Sequence, residues 1–85
     1  MPKTVFTGAH SHVVAVLLEA RRSSGLKQAD VAARLGKHQS FISLIENSQR
    51  RVDVLEFFAL ADAMGANALE LLAEISRRLP NKIEI

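Results

Sequence analysis

The chain contains no cysteine, tryptophan or tyrosine, and only four of its 85 residues are phenylalanine. The absence of cysteine excludes a disulfide framework and any metal site built on thiolates, and it agrees with a reducing cytosol. The two prolines, Pro2 and Pro80, lie near the ends of the chain. Because the interior lacks proline and is rich in aliphatic residues, the composition favours an all-α fold over a sheet.

Long apolar runs are also missing. No stretch approaches the roughly 18 apolar residues of a membrane span, and the N-terminal segment MPKTVFTGAHSH lacks the apolar core of a signal peptide. We therefore expect a soluble, cytoplasmic protein. A chain of 85 residues can build one domain around one small core. Because a bundle of this size is only marginally stable alone, a partner subunit is expected.

The strongest pattern in the chain lies in residues 28–46, QADVAARLGKHQSFISLIE. Val31, Ala32 and Leu35 fall on one side of a helix. Gly36 follows them at the position where a left-handed cap ends a helix. The first half of this stretch therefore predicts a short helix that stops at a glycine.

The second half of the stretch predicts another short helix with two different faces. Phe41, Ile42 and Ile45 form an apolar face suited to a core. The opposite face carries Ser40, Ser43, Leu44 and Asn47. Two helices of about eight residues joined by a short turn with glycine form a helix-turn-helix, whose second helix enters the major groove of DNA. We expect this DNA-reading helix at about residues 39–47.

These residues resemble the pattern of the Cro/phage-repressor type, or Xre family, of helix-turn-helix regulators. That pattern runs roughly as GLTQxxLAxxLGxxQSxISxxExGxRxxxxxxLxxxAxALG. The matching residues are Gly25, Leu26, Gln28, Val31, Ala32, Leu35, Gly36, Gln39, Ser40, Ile42, Ser43, Glu46, Arg50, Ala61, Met64 and Gly65. The resemblance covers about two thirds of the chain. It implies an all-α, five-helix repressor-like bundle that contains a helix-turn-helix and binds DNA.

The resemblance also implies which residues read bases. The expected base-reading residues are Gln39, Ser40, Ser43 and Leu44, on the helix that meets base edges in this motif. Glutamine can pair with N6 and N7 of adenine, and leucine can pack on a thymine methyl group. The family often carries arginine or lysine where Leu44 stands, which favours A·T pairs here; a surface leucine without a role is the alternative. His38 takes the N-cap position, where serine or threonine caps better.

Charge is unevenly distributed, although the net charge is only +2. Residues 21–51 carry seven basic and two acidic side chains, whereas residues 52–85 carry three basic and six acidic ones, so the two segments have net charges of +5 and −3. A protein that docks on phosphates from one side needs such an arrangement. The expected phosphate contacts are Gln28, Lys37, Asn47, Arg50 and Arg51. For the charged loop residues, simple solvation is the alternative.

One charge interrupts an apolar stripe. Arg21 lies seven residues after Val14 on the core side of the first helix, and a buried charge without a partner is costly. The resemblance implies that Arg21 pairs with Glu46 and so ties the first helix to the end of the DNA-reading helix. The alternative is that both charges are solvated.

The C-terminal half contains two further helix signals. Residues 53–56 have the D-x-x-E form of a capping box and start a fourth helix that Gly65 ends. Residues 67–70 have a similar capping-box form, N-x-x-E, and start a fifth helix that ends before Pro80. The fourth helix is apolar on nearly all sides, which is more than a small monomer can bury. We therefore expect a homodimer whose interface includes Phe57, Leu69, Leu72, Ile75 and Leu79.

We divide the chain into a flexible arm at residues 1–7, a single helix-turn-helix domain at residues 8–79 and a tail at residues 80–85. The last four residues alternate like a short strand that pairs with its copy, and a disordered end is the alternative. His10 and His12 are expected to be ordinary surface or helix-start residues, because no cysteine or acidic cluster accompanies them to form a metal site.

The leading hypothesis is a sequence-specific transcriptional regulator that binds double-stranded DNA as a homodimer on a two-fold symmetric operator, without a cofactor. The alternative is a protein-interaction module, such as an antitoxin or adaptor, that meets a protein partner through its apolar C-terminal half. An enzyme is not expected, because no carboxylate pair, Ser/His/Asp set, metal cluster or phosphate-binding loop occurs at a workable spacing.

Overall fold

The computed structural model describes residues 8–83. Its helices are α1 (His10–Ser23), α2 (Gln28–Leu35), α3 (Gln39–Glu46), α4 (Val54–Ala63) and α5 (Ala68–Arg78). No strand occurs between residues 8 and 83, and the all-α, five-helix class predicted from the sequence is confirmed. None of the five helices is long and apolar enough to span a bilayer. The expected arm at residues 1–7 and the final two residues of the expected tail lie outside the described range.

The core forms where the five helices meet. α2 packs against α3 and α4, while α1 contacts α3, α4 and α5. Buried apolar side chains from every helix fill the centre, namely Val16, Leu17, Val31, Ala32, Ile42, Ile45, Phe57, Leu60, Ala63, Met64 and Ile75. Val31 and Ile42, which the sequence pattern placed on the two core faces, are 0% and 2% exposed. Leu35 and Phe41 are half-buried and pack against the edge of this core.

The turn between α2 and α3 follows the sequence pattern. α2 ends at Leu35, and Gly36 adopts a φ of +66°, the left-handed conformation predicted for it. Glycine reaches this conformation without the steric cost that a Cβ atom brings. α3 begins three residues later, at Gln39. The short turn therefore places α3 directly against α2, as a helix-turn-helix requires.

Side-chain caps begin α4 and α5. Asp53 Oδ1 accepts a hydrogen bond from the Glu56 amide at 2.7 Å, and Glu56 Oε1 accepts one from the Asp53 amide at 3.1 Å. This is the reciprocal capping box that the sequence predicted. At α5 one of the two hydrogen bonds of a capping box is present: the Glu70 amide donates to Asn67 Oδ1 at 3.1 Å. These bonds satisfy amide groups that the helices cannot pair internally.

The turn that leaves α3 holds one residue in a strained conformation. Ser48 has a φ of +58°, in the left-handed region that residues with a Cβ atom avoid. The amides of Ser48 and Gln49 donate to the carbonyl oxygens of Ile45 and Leu44 at 3.0 and 2.8 Å. This is the bonding pattern of a Schellman motif, in which glycine is the usual residue at the position of Ser48. The family pattern given above also has glycine there.

We expect the substitution Ser48→Gly to raise the free energy of unfolding by about 0.5–1 kcal/mol. The relief of left-handed strain, about 1–2 kcal/mol, is partly offset by the larger entropy of glycine in the unfolded chain. Urea unfolding followed by circular dichroism measures the change. Ser24→Gly is the matched control, because Ser24 has a φ of −81° and gains no such relief. An equal gain in both variants would show that strain at Ser48 is not the cause.

Candidate nucleic-acid interface

The outward side of α3 carries the side chains assigned to base reading from the sequence. Gln39, Ser40 and Leu44 are exposed, and Ser43 is half-buried. The two isoleucines of the same helix point the opposite way and are buried in the core. Because the helix is anchored on one side only, its outer side presents three polar side chains and a leucine that is 43% exposed. These groups offer hydrogen-bond donors, acceptors and one apolar contact on a single surface.

His38 caps the start of α3, although histidine is a weaker N-cap residue than serine or threonine. Its Nδ1 atom accepts a hydrogen bond from the Ser40 amide at 3.2 Å. The same nitrogen lies 3.0 Å from the Ser40 hydroxyl oxygen. Because a nitrogen that accepts from an amide carries no proton, the hydroxyl of Ser40 donates to it. Ser40 therefore keeps its oxygen lone pairs available on the outer side of the helix.

An ion pair joins α1 to the end of α3. Arg21 Nε donates to Glu46 Oε2 at 2.6 Å, and Arg21 Nη2 donates to Glu46 Oε1 at 2.9 Å. A third bond from Arg21 Nη1 to the Leu26 carbonyl oxygen, at 2.9 Å, holds the guanidinium against the turn before α2. The two side chains are only 13% and 8% exposed, and the bonds to Glu46 raise the pKa of Arg21. The structure thus brings together the two residues that the resemblance paired.

Gln28 extends this ion pair to the start of the reading helix. Its Nε2 donates to Glu46 Oε1 at 2.8 Å, and its Oε1 accepts a bond from Gln39 Nε2 at 3.2 Å. We name this series of bonds the Arg21-to-Gln39 chain; its members are Arg21, Glu46, Gln28 and Gln39. The sequence predicted a phosphate contact for the Gln28 side chain, whereas in the structure this side chain lies between Glu46 and Gln39. No local sequence signal marks the contact between the two glutamines.

Arg50 fixes the loop that follows α3. Its Nη1 and Nη2 atoms donate to the two carboxylate oxygens of Glu56 at 2.9 and 2.7 Å, and Nη1 also donates to the Arg51 carbonyl oxygen at 3.1 Å. The guanidinium lies 4.6 Å from the centre of the Phe41 ring, and it lowers the pKa of Glu56 to about 2. The sequence predicted a phosphate contact for Arg50. In the structure its guanidinium binds the Glu56 carboxylate and lies over the Phe41 ring.

Two exposed cations lie beyond the two ends of α3 in the chain. Lys37 precedes the helix, with its Nζ atom 5.7 Å from the centre of the Phe41 ring, and Arg51 follows in the loop after it. Asn47, also expected at phosphates, is exposed and donates from Nδ2 to the Ser43 hydroxyl at 3.2 Å. Of the residues assigned to phosphates, Lys37 and Arg51 therefore have the charge and exposure that the role needs.

His10 starts α1, as one of the two expectations had it, but it is buried and not at the surface. It is 8% exposed, and its Nε2 atom accepts a hydrogen bond from the Val52 amide at 3.2 Å. Burial lowers the pKa of His10, and the nearby charge of Arg51 lowers it further. The missed signal was helical spacing, because residues 10, 14, 17 and 21 lie on one stripe of α1. Between residues 8 and 83, no group of three His, Cys, Asp or Glu side chains is placed to bind a metal ion.

The expected dimer interface needs a correction. Phe57 and Ile75 are only 4% and 5% exposed within a single chain, so they belong to its own core. Leu79 is half-buried and packs against that core. Leu69 and Leu72 remain at the surface, with exposures of 69% and 38%. Helical periodicity identified all five as apolar positions, but it could not show which of them the neighbouring helices cover.

The outer sides of α4 and α5 together expose a group of apolar side chains. We name this group the apolar face; its members are Val54, Leu55, Phe58, Leu69 and Leu72. Three of them, Val54, Phe58 and Leu72, line one shallow groove of about 190 Å³. Exposed apolar patches can mark interaction sites on small proteins.

Comparisons with known proteins agree with this geometry. Residues 17–72 match the family model HTH_3, described as helix-turn-helix. The chain is 38% identical over 52 residues to the uncharacterized HTH-type transcriptional regulator y4dJ of Sinorhizobium fredii, covering 61% of this chain and 68% of that protein. An XRE-family like protein from Pseudomonas syringae has a similar structure, with a TM-score of 0.79, 39% identity and coverage of 85% of this chain and 88% of that one.

A restriction-modification controller protein is also similar in structure. The controller C.AhdI from Aeromonas hydrophila aligns with a TM-score of 0.63 and 30% identity, over 71% of this chain and 91% of its own. The family model runs from the second half of α1 to the first half of α5 and so includes both helices of the helix-turn-helix.

We expect the stability of the protein to fall as the pH drops below about 6.5 because of His10. Its pKa in the folded protein lies below the ordinary value of 6.5, so the unfolded chain takes up a proton first as the pH falls. The loss begins near the unfolded pKa, continues down to the lowered folded pKa, and then stops. Urea unfolding at pH values from 7.5 to 5 measures this slope.

The variant His10→Gln should flatten this pH dependence, because glutamine does not titrate there and its amide oxygen can still accept the Val52 hydrogen bond. His12→Gln, two residues further along α1, serves as the matched control and should keep the wild-type slope. A slope that survives in His10→Gln would assign the effect to another group.

Proposed function

This chain belongs to the helix-turn-helix family, whose members are DNA-binding regulators, and from that premise we propose that it binds double-stranded DNA sequence-specifically and regulates transcription. In this proposal α3 enters the major groove. The observation that carries it is the outer side of α3, where polar side chains stand on a helix whose end is fixed by the Arg21–Glu46 pair. A rigid, polar helix surface meets the requirement for direct reading of base edges.

The base contacts follow from the groups that α3 presents. Gln39 can accept from N6 and donate to N7 of adenine through its amide. Ser40 and Ser43 offer hydroxyl groups, and Leu44, 43% exposed, can pack on the methyl group of thymine. The absence of a cation on this surface of α3 favours A·T pairs over a guanine contact. We propose these four residues as the base-reading set.

The phosphate contacts need charge and amide groups beside the reading helix. Lys37 and Arg51 supply exposed positive charge near the two ends of α3, and Asn47 adds an exposed amide. The start of α2, at Gln28, offers backbone N–H groups that suit a phosphate. Arg50 acts indirectly, because its bonds to Glu56 fix the loop that carries Arg51. Such contacts orient the protein on DNA without selecting a sequence.

We further propose that two copies bind a two-fold symmetric operator and meet through the apolar face. Its members expose up to 82% of their surface in a single chain, as Leu55 does, and a second copy would remove this surface from water. Two reading helices would then lie about 34 Å apart, one turn of DNA. The domain proposed at residues 8–79 would provide both surfaces.

A second candidate function rests on the same apolar face. If another protein covers this surface, the chain would serve as an antitoxin or adaptor that contacts its partner through α4 and α5. The oligomeric state and the DNA selectivity of the purified protein separate the two candidates, because an exposed apolar face in a monomer without DNA selectivity favours the partner protein.

We expect Gln39→Ala and Arg51→Ala to weaken DNA binding in different ways. Gln39→Ala should cost about 1–3 kcal/mol on the preferred site, because the base contact is lost, and relax the preference at one base pair. Arg51→Ala should weaken binding to every duplex and reduce the slope of log K against log salt by about one. Selection from a random-sequence pool, followed by fluorescence anisotropy at several salt concentrations, measures both effects.

Arg77→Ala is the matched control for this experiment. Arg77 is a 67% exposed cation on α5 that pairs with Glu74, away from the proposed reading helix in the chain. Its loss should leave the preferred sequence and the salt slope as they are in the wild type. If Gln39→Ala changes neither selectivity nor affinity, the assignment of α3 to base reading is wrong.

We expect Leu69→Glu to convert a wild-type dimer into a monomer, because it places a charge in an apolar interface. Leu69 is 69% exposed in the single chain, so the variant should still fold. Sedimentation equilibrium measures the association constant, and circular dichroism checks the helical content. Ala33→Glu, at an exposed position on α2, is the control and should remain dimeric. A wild type that stays monomeric at high concentration would contradict the proposed dimer.

A further inference from the structure

We propose that His38 fixes the hydrogen-bond polarity of Ser40, so that the Ser40 hydroxyl meets DNA as an acceptor alone and selects an amino group on a base edge. The inference rests on the proposed base-reading function of α3. In this view His38 has a second role besides capping the helix, because it decides where the single hydroxyl proton of Ser40 points. His38 is then a positioning residue for sequence recognition.

The first step is the protonation state of the His38 ring. His38 directly precedes α3 and has an extended backbone, with φ −73° and ψ 149°. Its Nδ1 atom accepts a hydrogen bond from the Ser40 amide at 3.2 Å. A backbone amide can only donate, so Nδ1 offers a lone pair and carries no proton. The proton of the neutral ring is therefore on Nε2, which resolves the usual ambiguity of a histidine tautomer.

The second step passes this constraint to the Ser40 side chain. Its Oγ atom lies 3.0 Å from the same Nδ1 atom of His38. If the hydroxyl proton pointed elsewhere, a lone pair of the oxygen would face the lone pair of the nitrogen at hydrogen-bond distance. The proton therefore lies between the two atoms, and Ser40 donates to His38. Because a hydroxyl has one proton and two lone pairs, Ser40 then retains acceptor capacity only.

Ser43, the other serine on the outer side of α3, is not constrained in this way. Its hydroxyl oxygen lies 3.2 Å from Nδ2 of Asn47, four residues further along the helix. An asparagine amide contains an acceptor as well as donors, and the amide can turn over, so it suits either polarity of the hydroxyl. The imidazole nitrogen next to Ser40 leaves no such choice. The two serines therefore differ in what they can offer to a base.

The third step concerns the base edge that an acceptor-only hydroxyl can pair with. In the major groove, adenine N6 and cytosine N4 are amino donors, while thymine O4 and guanine O6 are carbonyl acceptors. Every base pair carries one group of each kind, and reversing the pair exchanges their places. Ser40 is exposed, and an amino group can pair with its lone pair, whereas a carbonyl oxygen would leave two acceptors facing each other. The structure therefore predicts discrimination against the reversed base pair.

The test begins with the base pair and the atom that Ser40 contacts. The variant Ser40→Ala identifies the pair, as the position whose preference disappears in selection from a random-sequence pool. Duplexes that lack only the amino group there, with purine replacing adenine or pyrimidin-2-one replacing cytosine, then test the atom. We expect this deletion to weaken wild-type binding about threefold or more, the worth of one hydrogen bond, and to affect Ser40→Ala less. An equal loss in both proteins would overturn the proposal.

Two variants of His38 test whether its ring sets the polarity. The measured quantity is the ratio of affinities for the preferred duplex and for the duplex with that base pair reversed, which we expect to be about fivefold or more in the wild type. Glycine is a tolerated N-cap without a side-chain acceptor, so in His38→Gly the Ser40 hydroxyl can turn and donate to the carbonyl oxygen, and the ratio should fall about threefold or more. Aspartate caps well and has only acceptor atoms, so His38→Asp should keep the ratio, although its charge weakens binding to every duplex.

His12→Gln, at a half-buried position on α1, is the control for these variants and should keep the wild-type ratio. A ratio in His38→Gly that equals the wild-type value would overturn the proposal. So would a loss of the ratio in both His38→Gly and His38→Asp, because the effect would then belong to another property of the imidazole ring.

The polarity of Ser40 can also be tested without DNA. In ¹⁵N-labelled protein at mildly alkaline pH, the shifts of the two ring nitrogens of a neutral histidine show which of them carries the proton. For His38 we expect a bare Nδ1 and a protonated Nε2. If the wild type selects no sequence, the proposed function fails and the recognition role fails with it, while these shifts still decide the orientation step. A proton on Nδ1 would overturn that step.

Discussion

The placement of α3 depends on the part-buried ion pair between Arg21 and Glu46. Apolar packing holds α3 against the core, but it does not by itself fix the position of the end of α3 relative to α1. The bidentate pair supplies this specification, because Glu46 accepts two bonds from Arg21 and a third from Gln28. Because both side chains are largely shielded from water, loss of either one would leave the other charge poorly solvated.

Contacts within the chain also involve several cations of the basic segment, residues 21–51. Three of its arginines are occupied within the chain: Arg21 by Glu46, Arg50 by Glu56, and Arg34 by the carbonyl oxygen of Ala63 at 2.7 Å. The net charge of +5 for residues 21–51 already counts Glu46, and only Glu56, which lies outside that segment, offsets a further positive charge. The exposed cations of this segment are Arg22, Lys27, Arg34, Lys37 and Arg51. All of these cations attract the phosphates of DNA in the proposed complex. The arginines that bond within the chain instead fix the positions of the helices and the loop around α3.

Local rules predicted those features that depend on neighbours in the sequence. Helical spacing assigned Val31 and Ile42 to the core, and the turn at Gly36 followed from its place after an apolar stripe. The bonds between Arg50 and Glu56 and between Gln28 and Gln39 were not predictable, because partner choice depends on distances that only the packed helices set. The error at Phe57 and Ile75 has the same origin. Periodicity shows that a position is apolar, but tertiary packing decides what covers it.

A path of packed helices connects the apolar face to the reading helix. α1 contacts both α3 and α5, and Arg78 of α5 donates to Glu19 of α1 at 2.8 Å. That ion pair is exposed and contributes little to stability. The packing of α1 against α5 therefore depends mainly on their buried apolar contacts. Since Arg21 then fixes α3 to the same helix, α5 and α3 hold a defined relation through α1. The spacing between two reading helices in the proposed dimer would follow from this relation, without any direct contact between the helices that read DNA.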